Sequence, residues 1–281
     1  MVPYVTTTAN VRMPALIYGT AWKGERTADL VEMALREGFW GIDTACQPKH
    51  YSEAGVGEAL QRLEREGRGR EELFVQTKFT PLAGHDPQRI PYDPAAALEA
   101  QVAQSFGASK RNLQTEYVDS LVLHSPLFPY GDLLRVWGAM EEIFRSGGAR
   151  QLGISNCYDP ELLQRLYRDA EVKPAVVQNR FYPQSGYDVA LRRWCDERGI
   201  VYQSFWSLTA NPHLLGSREC MLLARKYGKT EPQILYRYLC HAGIVPLIGS
   251  TSQAHLREDL SIFGFALAPE EIDAIGRLLE H

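Results

Sequence analysis

The chain has 281 residues, 45% of them hydrophobic and 23% charged, with a formal net charge of −4. That is ample for a packed core without disulfides or a structural metal, and it offers no basic stripe for nucleic acid. No apolar run reaches the roughly 18 residues of a membrane span, and MVPYVTTTANVRMP lacks the charged and apolar regions of a signal peptide.

In chain order, VTTTANVRMP sets turn residues between two short β-prone runs, the pattern of a hairpin closing the bottom of a barrel. Short apolar strands then follow at 15–19 (ALIYG), 39–43 (FWGID), 73–78 (LFVQTK) and 118–124 (VDSLVLH), and at 149–155 (ARQLGIS), 175–178 (AVVQ), 200–205 (IVYQSF) and 244–249 (IVPLIG). Helical patterns lie between them. The first starts near Thr27, repeats Leu30, Val31, Met33, Ala34 and Leu35 at helical spacing, and stops at Gly38. Three others place proline in the first turn, at DPAAALEAQVA from 93, DPELLQRLY from 159 and APEEIDAIGRLL from 268. The longest irregular stretches, 79–92 and 205–220, each follow a strand.

Strands alternating with helices make a parallel sheet, and eight such units predict closure into a (β/α)8 barrel, one domain over 1–281. An open doubly wound sheet is the alternative; it would show GxGxxG after the first strand, where this chain has YGTAWKG. The five cysteines, Cys46, Cys157, Cys195, Cys220 and Cys240, are scattered without a CxxC pair. They predict free thiols, no metal site and a cytoplasmic protein.

In a barrel, polar side chains at the C-terminal strand ends carry function. Here these are Asp43, Lys78, His124, Ser155 with Asn156, and Gln178 with Asn179, followed by the aromatics Phe205 and Trp206; Tyr51 lies in the loop after the second strand. Each alone has a structural explanation: a turn aspartate, a solvated strand end, a core histidine, a packed tyrosine. Together they place an acid, a lysine, a histidine and a tyrosine at one mouth.

GIDTA followed by a tyrosine and VGEAL, the lysine of VQTK, the histidine of VDSLVLH, and GISN together resemble the signature of the aldo-keto reductases, from about Met13 to the C-terminal helix. The resemblance implies reduction of an aldehyde or ketone by hydride from a nicotinamide cofactor, with a tetrad of Asp43, Tyr51, Lys78 and His124. Tyrosine is a weak acid; a nearby ammonium lowers its pKa, aspartate fixes the lysine, and histidine orients the substrate oxygen. The tyrosine follows Asp43 by eight residues, more than in many members, with His50 beside it; its distance to VGEAL favours Tyr51. The family also includes barrels that serve as auxiliary channel subunits with little turnover.

The resemblance further implies that Ser155, Asn156 and Gln178 bind the nicotinamide carboxamide, that Phe205 stacks on the ring, and that Thr20 and Lys23 border the cofactor. Ser207 and Leu208 fall along the pyrophosphate. Ser250 and Thr251 supply hydroxyls at a helix N-terminus that suits phosphate. Gly249 and His255 stand where NADPH-preferring members usually carry cations, and Asp259 where asparagine is common. This leaves NADP(H) favoured and NAD(H) as the alternative, with Arg257 as a compensating cation. Trp22, Phe128, Trp206 and the 79–92 loop are expected to form an apolar, aromatic pocket for a small carbonyl compound.

Overall fold

The computed structural model describes residues 2–279. The chain opens with an antiparallel pair, β1 (Tyr4–Thr6) and β2 (Arg12–Pro14), in which Val5 faces Met13. The parallel strands β3 (Ile17–Gly19), β4 (Gly41–Asp43), β5 (Phe74–Phe79), β6 (Ser120–Leu123), β7 (Leu152–Ser155), β8 (Val176–Arg180), β9 (Val201–Phe205) and β10 (Ile244–Ile248) close in sequence order, β10 pairing back onto β3. This is the (β/α)8 barrel. The order follows from the chain itself: each right-handed crossover helix returns the next strand to its neighbour.

The helices are α1 (Thr27–Glu37), α2 (Glu53–Glu64), α3 (Leu98–Leu113), α4 (Tyr130–Arg145), α5 (Pro160–Asp169), α6 (Val189–Asp196), α7 (Pro212–Leu215), α8 (Arg218–Tyr227), α9 (Glu231–His241), α10 (Gln253–Leu260) and α11 (Pro269–Arg277). Helix α1 buries Leu30, Val31, Ala34 and Leu35, and ends at Gly38 with φ 118°, where glycine avoids the Cβ strain of a left-handed cap. Asp159 caps α5 by accepting from the Glu161 N–H. Gly57 lets α2 approach α3: a Cβ there would lie 2.1 Å from the Asn112 carbonyl oxygen.

Two sequence expectations shift. The helix expected from 93 begins at Leu98, because the Asp93 carboxylate accepts from the Ala95 N–H at 2.9 Å and its carbonyl from Ala96 at 3.2 Å, a local turn that takes up Pro94. The 205–220 segment is partly helical: it contains α7, opened by Pro212, and the start of α8, whose first turn Ser217 caps through Cys220 N–H at 3.1 Å.

The β1–β2 pair plugs the bottom. Met13 is buried in a cluster with Ile17, Phe74, Val176, Val201 and Val245, most of them at the N-terminal strand ends. Above this apolar plug the interior turns polar. Gln76, Gln178 and Gln203 interlock, the Gln203 carbonyl accepting from both other side-chain amides at 2.8 Å. These amides form the floor on which the mouth residues stand.

Candidate active site

Asp43 ends β4 and Lys78 lies near the end of β5, neighbouring strands in the barrel. Both side chains are buried. The Lys78 ammonium donates to Asp43 Oδ1 at 2.7 Å, to Oδ2 at 2.6 Å and to the Thr44 carbonyl at 2.8 Å, which uses all three of its protons. Asp43 Oδ1 also accepts from Gln76 at 2.8 Å and Gln178 at 3.0 Å. A buried ion pair costs least when its remaining valences are met in this way. Burial pulls the lysine pKa down and the Asp43 carboxylate pushes it back.

Tyr51 stands directly above this pair. Lys78 Nζ is 5.2 Å from its ring centroid, and the ring meets that of His124 edge-on at 5.9 Å. His50 instead stacks on Trp22, centroids 3.9 Å apart. The long loop after β4 is absorbed in a turn in which Gln47 O accepts from the His50 and Tyr51 N–H groups, while the Gln47 side chain donates to Gly84 O at 2.8 Å. The turn puts the tyrosine, not the histidine, over Lys78.

The expected lowering of the tyrosine pKa is not found. Burial raises it, and the Asp43 charge raises it further, because the lysine protons are spent on Asp43 and Thr44 rather than on the phenol. Tyr51 is therefore a protonated donor at neutral pH. His124 is held neutral: burial, then the charges of Lys78, His85 and His50, push its pKa well down. Its Nδ1 lies 2.7 Å from the Thr80 hydroxyl.

Asp43, His50, Tyr51 and His124 line one wall of a cleft of about 1010 Å³ at the C-terminal mouth, at the upper end of the range for small-molecule sites. The other wall carries Ser155, Asn156, Gln178, Phe205, Ser207 and Leu208. Ser155 Oγ donates to the Gln178 carbonyl at 2.7 Å, and Asn156 Nδ2 to His124 O at 2.8 Å. Gln178 lines the cleft and spends its amide nitrogen on Asp43 and Gln203, while its side-chain oxygen has no donor among the described residues. Lys23 bridges the mouth by donating to Gly249 O. Ser250, His255 and Asp259 complete the far end. Burial, reinforced by Glu258, pushes the Asp259 carboxyl up to about 7.

Several expected residues lie elsewhere. Thr20 is fully buried and donates to Asp43 O at 3.0 Å, holding β3 to β4. Phe128 is 75% exposed and Thr251 also faces solvent, both off the cleft. The 79–92 loop folds down onto the end of β5, with His85 and Tyr92 both donating to the Thr80 carbonyl, and contributes nothing to the lining. Arg257 pairs with Glu37 at 2.6 Å, with its own side chain largely exposed, and is not among the cleft-lining residues. Asn179 turns outward, bonded to Cys157 O and Asp188. Sequence reading missed Arg180 and Tyr236, both in the lining. Arg180 sits two residues past Gln178 on the same face of β8, beyond the apolar run AVVQ that marks the strand in sequence.

The fold and this mouth define a barrel with a ligand cleft over the C-terminal ends of its strands. The model of the aldo/keto reductase family matches residues 15–280, and the chain belongs to that family of oxidoreductases. An aldo-keto reductase of Mycobacterium tuberculosis (strain ATCC 25618 / H37Rv) is 31% identical over 278 residues, covering 98% of this chain and 91% of its own. The glyoxal reductase of Bacillus subtilis (strain 168) is 29% identical over 256 residues, 91% of this chain and 84% of its own. Among solved structures, an aldo-keto reductase of Bombyx mori in complex with NADP superposes with a TM-score of 0.83 at 25% identity, covering 100% of this chain and 94% of that one.

Proposed function

We propose that the protein reduces a small aldehyde or ketone to the alcohol with NADPH, Tyr51 supplying the proton. One observation carries this reading: Tyr51 is held over the buried Lys78–Asp43 pair and edge-on to a neutral His124, all at one cleft. When bound, the cofactor supplies the hydride. Its residues here would be Gln178, whose free side-chain oxygen suits an amide donor, with Ser155 and Asn156 beside it; Phe205 would take the face of the ring. The silkworm relative is described with NADP, which supports the phosphorylated cofactor.

The chain's own part is to position and to give a proton. His124 donates from its cleft-facing nitrogen to the carbonyl oxygen and fixes it. As negative charge grows on that oxygen, Tyr51 O–H transfers its proton there, and Lys78 beneath the ring stabilises the tyrosinate left behind. The raised pKa of Tyr51 keeps that proton in place until the oxygen becomes the stronger base. Trp22 and Trp206, 66% and 46% exposed, give the entrance an aromatic rim suited to an apolar body. The five free cysteines, four of them buried, agree with a cytoplasmic setting.

Steady-state oxidation of NADPH and NADH against a panel of aldehydes, ketones and quinones tests the reading. Turnover with a carbonyl compound is expected. Tight cofactor binding without turnover on any of them would indicate an auxiliary binding subunit instead.

A further inference from the structure

Arg180 is the last residue of β8 and lines the cleft. Strand alternation puts its side chain on the same face as Gln178, and its register partner is Phe205. The guanidinium carbon lies 4.2 Å from the Trp206 ring centroid and 5.3 Å from that of Tyr182. It thus lies over two aromatic rings, contacts that orient arginine at little entropic cost. Its backbone N–H is satisfied, donating to the Tyr158 hydroxyl at 3.1 Å.

The side chain has no such partner. Nε is buried and unbonded, and no carboxylate lies within ion-pairing distance among the described residues. Half of the other 22 arginines hold carboxylates, among them Arg36, Arg62, Arg70, Arg135, Arg145 and Arg150. The other cation of the mouth, Lys23, is engaged with Gly249 O. A partly buried guanidinium without a counter-ion is costly unless an anion completes it, and its fork of donors matches a planar pair of anionic oxygens.

We propose that Arg180 is an anion-binding residue of the cleft, placed to take two oxygens of a carboxylate or of a pyrophosphate. The first source would be an aldehyde or ketone substrate bearing a carboxylate; the second would be the cofactor. The inference rests on the proposed reductase reading for its catalytic arm, but not for its binding arm.

The binding arm needs no turnover. Trp206 stacks on Arg180, so its emission reports occupancy. Succinate and inorganic pyrophosphate are titrated into wild type and Arg180→Met, and NADPH dissociation constants are measured for both. In the catalytic arm, kcat/KM is compared for an aldehyde acid and a neutral aldehyde of equal length. Loss of a charge-assisted bidentate contact should weaken the affected ligand about 10- to 100-fold. A loss confined to succinate and the aldehyde acid assigns the site to a substrate carboxylate. A parallel loss for pyrophosphate and NADPH, equal for both aldehydes, assigns it to the cofactor. Arg180→Lys should recover less than half of either effect, since ammonium lacks the planar fork. Unchanged binding of both anions and of NADPH in Arg180→Met overturns the proposal and leaves Arg180 as packing for Trp206. Failure of wild type to reduce any aldehyde, with Arg180-dependent anion binding intact, would contradict the reductase reading alone.

Discussion

Lys78→Met tests the foundation of the site. Methionine keeps the unbranched stem and similar volume but removes the ammonium that donates to Asp43 Oδ1 at 2.7 Å, Oδ2 at 2.6 Å and Thr44 O at 2.8 Å. Asp43 Oδ1 keeps the Gln76 and Gln178 amides; Oδ2 loses its one described donor. Leaving one member of a buried pair uncompensated costs about 3–5 kcal/mol, and the two surviving amides argue for the lower half of that range, about 3–4 kcal/mol at about pH 8. Urea unfolding, followed by near-ultraviolet circular dichroism, measures the loss. The double variant Asp43→Leu, Lys78→Met should recover most of it, because it removes both charges. A loss under about 1 kcal/mol for Lys78→Met would refute the buried pair as described.

Three further outcomes concern the cleft. The Thr80 hydroxyl is buried with His124 Nδ1 as its only described side-chain partner, at 2.7 Å, so it should donate there and leave the proton on Nε2. Thr80→Val should lower kcat about tenfold with little change in KM and shift the His124 tautomer seen by nitrogen NMR, whereas Thr80→Ser should preserve both. At the far end, Gly249→Lys with His255→Arg should raise the NADPH/NADH affinity ratio by about one to two decades, read as dissociation constants at fixed ionic strength; an unchanged ratio would place the 2′-phosphate elsewhere. The Asp259 carboxyl is held up to about 7 against an ordinary 3.8, so it is neutral below that pH and charged above. The NADPH/NADH ratio should therefore fall as pH rises from about 6 to about 8, and Asp259→Asn should remove the fall beyond what the phosphate's own ionisation causes. The same raised value means the folded state holds this proton between 3.8 and about 7 while the unfolded state has lost it, so Asp259 subtracts stability progressively as pH climbs through that window.

The barrel was legible because apolar strands recur between amphipathic helices, and the burial of Leu30, Val31, Ala34 and Leu35 on α1 follows directly from their spacing. Tyr51 over Lys78 was legible from the distance to VGEAL, although the turn built on Gln47 that makes it so was not. What sequence spacing could not carry was direction. Phe128 and the 79–92 loop follow strands yet lie off the cleft, because local contacts such as His85 and Tyr92 on the Thr80 carbonyl fold the loop away. Asn179 and Arg180 are adjacent in sequence but fall on opposite faces of β8, and the strand runs through both although its apolar pattern stops at Gln178. The sign of the Tyr51 shift depended on where the Lys78 protons go, which only the positions of Asp43 and Thr44 reveal.

The most direct test of the central claim is single-turnover oxidation of NADPH by Tyr51→Phe with a good aldehyde substrate, set against wild type and His50→Ala. Removing the proton donor while keeping the ring should slow the chemical step by at least about 100-fold and leave the cofactor dissociation constant nearly unchanged. His50→Ala, which removes a cleft-lining ring stacked on Trp22 but no proton donor to the substrate oxygen in this account, should stay within about tenfold of wild type. The reverse outcome, with turnover abolished in His50→Ala and retained in Tyr51→Phe, would contradict the account.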